Sequence, residues 1–129
     1  MRALLTTCTA DKDPRPALLP ARLRYQGARV DFAVQRAEAE AVPLLFLSGV
    51  FGIVSADLPI PWYDHALQSA EVDGHRRLVI GQLCDLGVTA IEALLAPEDT
   101  PGWAPYHRLL VAGCQGAGVM LQITLTPLR

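Results

Sequence analysis

The chain has 129 residues, 51% hydrophobic and 19% charged, which is apolar enough to bury one real core and leaves no room for a second domain of ordinary size. That composition excludes intrinsic disorder, and a formal net charge of −2 with interleaved signs offers no basic stripe, so nucleic-acid binding is not supported by net charge. No apolar run reaches membrane-spanning length and the opening MRALLTTC is too short for a secretory signal, so no membrane partner is expected and the expected compartment is the cytoplasm.

Arg2 to Thr7 (RALLTT) is a short apolar and β-branched run that predicts a buried first strand. The stretch from Cys8 to Tyr25 carries Pro14, Pro16 and Pro20, each removing a backbone donor and restricting the residue before it. It predicts a long loop without regular helix. Val30, Ala33, Val34, Ala37 and Ala41 then recur at helical spacing opposite Arg36, Glu38 and Glu40, which predicts an amphipathic helix from about Gly27 to Ala41. Val42 to Ser48 (VPLLFLS) is an uninterrupted apolar run, the pattern of a strand covered on both faces. A second long loop follows, with Pro59, Pro61, Trp62 and Tyr63 near its end.

Val72 to Leu86 predicts a second helix capped by Gly87, and Val88 to Leu95 (VTAIEALL) a third strand. Thr100-Pro101 reads as an N-cap followed by proline at the first helical position, so a third helix is expected from there to about Gly113. Val119 to Leu125 (VMLQITL) predicts the fourth strand, stopped by Pro127. Gly113, Gly116 and Gly118 follow a helix and precede a strand, the reverse of a dinucleotide fingerprint, and read as cap and turn.

Strands alternating with helices predict a single α/β domain over residues 1–129. The expected form is a three-layer sandwich: a mostly parallel four-stranded sheet, order 2-1-3-4, with helices on both faces. In such sheets ligands bind beyond the carboxyl ends of the strands, where the winding direction reverses. The loops leaving strands one and two are much longer than the roughly 2–6 residues usual for such connections, which marks them as functional.

Cys8 and Lys12 are the candidate catalytic residues. A cation beside a thiol favours a thiolate nucleophile, and a lysine amine can hold an anion or attack an electron-poor carbon. The same pair also reads as a small buried cysteine and a solvated lysine. Lys12, Arg15, Arg22, Arg24 and Arg29 make a locally basic stretch, suited to a phosphate or carboxylate or simply to a solvated face. Within it Arg22 is a candidate anion clamp and Tyr25 a candidate ring cover. Ser48, Gly49, Phe51 and Gly52 follow the second strand, where glycines let backbone donors approach a ligand or form a tight turn. Tyr63 and Asp64, beside Pro61 and Trp62, suit base stacking and proton handling, or the filling of an apolar hollow. Asp64 and His65 are adjacent and point apart, and His75 and His107 read as ordinary helix residues. Cys8, Cys84 and Cys114 are odd in number and widely spaced, against a disulfide framework and against zinc, so no metal or other cofactor is expected.

Four fragments, Cys8 with Lys12, Pro20-Ala21…Tyr25, Ser48-x-x-Phe51-Gly52 and Ile60-Pro61-x-Tyr63-Asp64, together resemble a bacterial domain family of unknown function. That family is distantly similar to the peroxide-stress protein YaaA and to a domain of archaeosine synthase. Order and spacing agree over the first half of the chain, and Tyr106 with Leu109 and Leu110 is a fainter echo. Family members read SxKYG where this chain has SGVFG, so Val50 and Phe51 lack that lysine amine and tyrosine hydroxyl. The resemblance implies an α/β domain linked to nucleic-acid or modified-nucleobase metabolism, with a planar, nucleobase-like ligand.

Two functions stay open at this point. One is an enzyme or degenerate enzyme that binds a nucleobase- or nucleotide-like small molecule at the loops after strands one and two. The other is a non-catalytic binding or interaction module, assembling as a homodimer through the Pro- and Trp-rich loop.

Overall fold

In the computed structural model, whose described residues are 1–127, the elements follow in this order. Strand β1 (Arg2–Thr7) leads to a two-residue strand β2 (Leu19–Pro20), a single-turn helix α1 (Ala21–Arg24) and helix α2 (Ala28–Glu40). Strand β3 (Leu44–Ser48), β4 (Gly52–Ser55) and a short β5 (Pro59–Ile60) come next, then a 3₁₀ turn at Ser69–Glu71 opening into α3 (Val72–Leu86). Strand β6 (Ala90–Leu95), α4 (Ala104–Ala117) and β7 (Met120–Leu125) complete the fold.

The main sheet runs β4-β3-β1-β6-β7, with β3, β1, β6 and β7 parallel and β4 antiparallel to β3. It therefore has five strands, not four, and its order differs from the expected one by the hairpin strand at the β3 edge. The extra strand has a local cause. Ser48 Oγ accepts the backbone N–H groups of Val50 (3.1 Å) and Phe51 (3.0 Å), and Gly52 takes φ +71°, so the chain reverses and Ile53 and Val54 return beside Leu47 and Phe46.

Side chains alternate across the strands, which sorts the core into two layers. Leu4, Leu44, Phe46 and Leu94 face Val30, Ala33 and Ala37 of α2. Leu5, Leu45, Leu47, Ile91, Ala93 and Leu95 face Val79, Leu83, Leu109 and Leu110 of α3 and α4. The molecule is an α/β three-layer sandwich. Right-handed crossovers require this: the chain moves from β1 to β3 in one direction under α2, then returns across the sheet to β6 and β7, so α3 and α4 fall on the opposite face. The direction of winding reverses between β1 and β6, and their carboxyl ends mark the crevice where such sheets bind ligands.

Helix α4 lies close against α3 because Gly113 has no side chain; a Cβ there would stand 2.5 Å from Val79 Cγ1. Gly118 and Gly87 end α4 and α3 in the left-handed conformation, φ +69° in both. Helix α4 starts at Ala104, later than expected. Thr100-Pro101-Gly102-Trp103 is a reverse turn, closed by Trp103 N–H to Thr100 O at 3.0 Å with Gly102 at φ +83°, so the proline serves the turn and Pro105 the first turn of the helix.

The two long loops are more ordered than predicted. In the first, Pro20 directly precedes α1, where its missing N–H is harmless. In the second, β5 pairs with β2, Leu19 opposite Ile60, which clips the loops together. Arg24 completes the clip. Its guanidinium, fully buried, donates to the carbonyls of Asp13 (2.6 Å), Arg15 (2.8 Å), Ala17 and Ile60 (3.2 Å). A proline-rich segment with few partners of its own thus has its backbone acceptors satisfied by one planar cation. No helix among the described residues is long and apolar enough to cross a membrane.

Candidate functional site

A cleft of about 380 Å³ opens at the carboxyl end of β1, beside the turn that joins β6 to α4. Its walls are the segment from Thr7 to Lys12, Gln26 and Arg29 at the start of α2, the Asp64–Ala66 stretch, and Pro101 to Trp103 with Tyr106 at the start of α4.

Cys8 is the first residue after the buried run of β1, and its amide donates to Leu47 O across the sheet. Strand geometry thus fixes the half-buried thiol at the cleft floor. Its Sγ lies 3.3 Å from Tyr106 Oη, and that hydroxyl also accepts the Leu67 N–H at 3.0 Å. Either the Cys8 thiol or the Tyr106 hydroxyl can donate in this contact. The Tyr106 phenol is pushed above the ordinary tyrosine range, chiefly by burial and then by the neighbouring Cys8.

Arg29 is 2% exposed, and among the described residues no carboxylate pairs with it. Nη1 donates to Thr6 Oγ1 and to Thr7 O (3.1 Å), while Nε is buried without a hydrogen-bond partner. The Trp103 ring covers one face of the guanidinium at 4.7 Å. Burial brings its pKa down to about 10, offset in part by the nearby Cys8 and Tyr106.

Lys12 comes from the same loop as Cys8, positioned by an antiparallel bridge to Tyr25. Its Nζ stands 4.7 Å from the Tyr63 ring centre and 5.9 Å from that of Tyr25. No carboxylate among the described residues lies within ion-pair distance of this amine.

The phenols under Lys12 form a chain of hydroxyls. Tyr25 Oη lies 2.5 Å from Tyr63 Oη, which lies 2.8 Å from Ser48 Oγ. Because Ser48 Oγ accepts two backbone N–H groups, its own proton goes to Tyr63. Burial pushes the Tyr25 phenol up to about 12 and raises Tyr63 further in the same direction. Both phenols are therefore neutral at physiological pH and lie beneath the Lys12 amine.

Of the residues singled out from sequence, Cys8, Lys12 and Asp64 line the cleft. Tyr25, Tyr63 and Ser48 stand behind it as the hydroxyl chain. Phe51 packs edge-on to Tyr63 with centroids 5.2 Å apart. Gly49 is pressed against the segment that carries Leu67, where a Cβ would meet Leu67 N at 2.7 Å, and Gly52 sits in the reversing turn. Arg22 lies outside the cleft, exposed and paired with Asp57 at 3.1 Å. His65 lines the cleft and donates through Nε2 to Glu71 at 2.8 Å, separately from its neighbour Asp64.

Arg29, Trp103 and Tyr106 join these. Arg29 belonged to the locally basic stretch that the sequence marked for a phosphate or carboxylate, and Tyr106 only to the fainter echo of the resemblance. Trp103 carried no such signal. Among the described residues no group of three or more His, Cys, Asp or Glu side chains is placed to hold a metal ion.

No protein-family model matches this chain, and no curated protein or solved structure is significantly similar to it.

Proposed function

We propose that the protein is a small-molecule enzyme, or a degenerate descendant of one, that binds a nucleobase- or nucleotide-like ligand in the cleft at the carboxyl end of β1. The observation that carries this reading is the meeting of the Cys8 thiol and the Lys12 amine, neither tied to an opposite charge, in one cleft walled by aromatic rings. A planar ring has a stacking surface in Trp103, and an electron-poor carbon on it has a nucleophile in Cys8 with the Tyr106 hydroxyl beside it. Lys12 is the second reactive candidate. Its exposure to the cleft over two neutral phenols suits an amine that meets a ligand rather than a structural ion pair.

The test is a thermal-shift screen against nucleobases, nucleosides and nucleotides, since a ligand that binds only the native state raises its melting temperature. The reading predicts a hit that is lost or weakened in Cys8→Ser or Lys12→Met. A hit unchanged by both substitutions removes these two residues from the site, and a blank screen on folded protein removes the ligand class.

A second reading has its own observation. Leu18, Leu58 and Trp62, exposed at 64%, 49% and 51%, flank the β2–β5 ribbon and offer apolar surface for self-association as a homodimer. Sedimentation of wild type against Trp62→Ser decides it: a strict monomer at all concentrations sets the homodimer aside.

A further inference from the structure

We infer that the cleft contains an oxyanion subsite built on Arg29, and that the ligand carries a phosphate group there. This rests on the cleft reading above and narrows it.

A guanidinium presents two hydrogen-bonding edges beyond its stem. On Arg29 the Nη1 end is consumed by Thr6 and Thr7. Neither Nε nor Nη2 donates to any described residue, and Nε is buried without a partner. Nε is closed off by its surroundings, so Nη2 is the nitrogen left to donate to a ligand oxygen, and a charge-assisted bond from it suits a phosphate or carboxylate. The Trp103 ring lies over the guanidinium face, and Arg29 lines the cleft from behind it.

The backbone adds to the same field. Helix α2, 13 residues long, is preceded by Gly27, whose φ of 130° favours glycine, and no side chain caps its amino end. Gln26 and Arg29, on either side of that end, both line the cleft. An uncapped helix amino end favours an anion. Lys12, from the loop after β1, is a second cation on the cleft lining. The two carboxylates on the wall, Asp11 and Asp64, are on exposed residues, where water screens them. Two cations and a helix end, one cation being buried, match a phosphate dianion better than a single carboxylate charge.

The experiment uses the full chain with Trp62→Phe, which leaves Trp103 as the sole tryptophan and a direct reporter of Arg29. Inorganic phosphate is titrated first, with acetate as the carboxylate comparison, followed by a nucleoside and its 5′-monophosphate. The subsite predicts a saturable Trp103 fluorescence change with phosphate, weaker by about tenfold or more for acetate and in Arg29→Gln. It also predicts that the monophosphate binds at least about tenfold tighter than the nucleoside.

An absent phosphate response, or equal affinity in Arg29→Gln, overturns it. Arg29→Gln gives up the bonds to Thr6 and Thr7, so if it does not fold, the nucleoside pair on Trp62→Phe decides alone. Equal binding of nucleoside and monophosphate ends the phosphate subsite and leaves the cleft reading in place. Failure of all of these probes to bind ends both.

Discussion

Replacing Arg24 with Met removes the four donors that hold the 13–20 loop and the β5 strand together. Ala17 and Arg15 are exposed residues whose carbonyls regain water once the loop loosens, which limits their cost. The Ile60 carbonyl belongs to a residue 2% exposed and has no such recourse, and a buried acceptor left unpaired costs about 1–3 kcal/mol. Charge-assisted bonds lost at the other three carbonyls add about 1 kcal/mol each after rehydration, while the methionine stem keeps the apolar packing. The sum is about 4–6 kcal/mol, a large share of the roughly 5–15 kcal/mol total of a domain this size. Urea unfolding followed by circular dichroism measures it. Chymotrypsin cleavage near Leu18, 64% exposed beside the clip, reports the loop directly. If Arg24→Met stays within about 0.5 kcal/mol of wild type and Leu18 stays protected, the clip is not held by this residue.

Gly113→Ala is expected to cost about 1–3 kcal/mol, because its Cβ would lie 2.5 Å from Val79 Cγ1 on α3. Gly81→Ala on α3 meets nothing within 4 Å and is expected to gain about 0.5–1 kcal/mol in the same unfolding experiment; equal effects would contradict the packing described. All three tyrosines are raised above the ordinary value of 10.0 by burial, so the absorbance titration of folded protein should show no tyrosinate step near pH 10. A full-amplitude step there would contradict their placement. Glu92 is held at about 2, below its usual 4.5, first by its hydrogen bonds to Arg36. A depressed carboxylate stabilises the fold above its unfolded value and loses that contribution as pH falls from about 4.5 to 2. Melting temperature against pH should therefore fall more steeply over that window in wild type than in Glu92→Gln, and parallel curves would refute the pairing.

Much of the framework was legible because burial writes itself into sequence. Leu4, Leu5, Leu45, Phe46 and Leu47 are apolar without interruption because helices cover both faces of β1 and β3. Val30, Ala33 and Ala37 recur at helical spacing because one stripe of α2 meets the sheet. The missed elements are those whose cause is not periodic. Strand β4 is four residues long and exists because the Ser48 hydroxyl and Gly52 turn the chain back. Pro20 reads as a breaker, yet it starts α1. Thr100-Pro101 fits a helix start and a reverse turn equally well, and Gly102 settles it for the turn. The site was half legible. Cys8 and Lys12 follow a buried strand directly, and Arg29 reaches them through the packing of α2 on β1, whereas Trp103 and Tyr106 reach the same cleft through the parallel pairing of β1 with β6, a contact between segments some 88 residues apart. Local spacing carries no trace of it.

The central claim is that ligands enter at the carboxyl end of β1, beside the turn that joins β6 to α4. The most direct test is amide chemical-shift mapping of isotope-labelled protein during titration with a nucleoside 5′-monophosphate. The account predicts saturable shifts gathered at Thr9 to Lys12, Gln26 to Arg29 and Gly102 to Trp103, with β7 and the ribbon beside Trp62 silent. Saturable shifts centred on β7 or on the Trp62 ribbon, or none in well-folded protein, would contradict it.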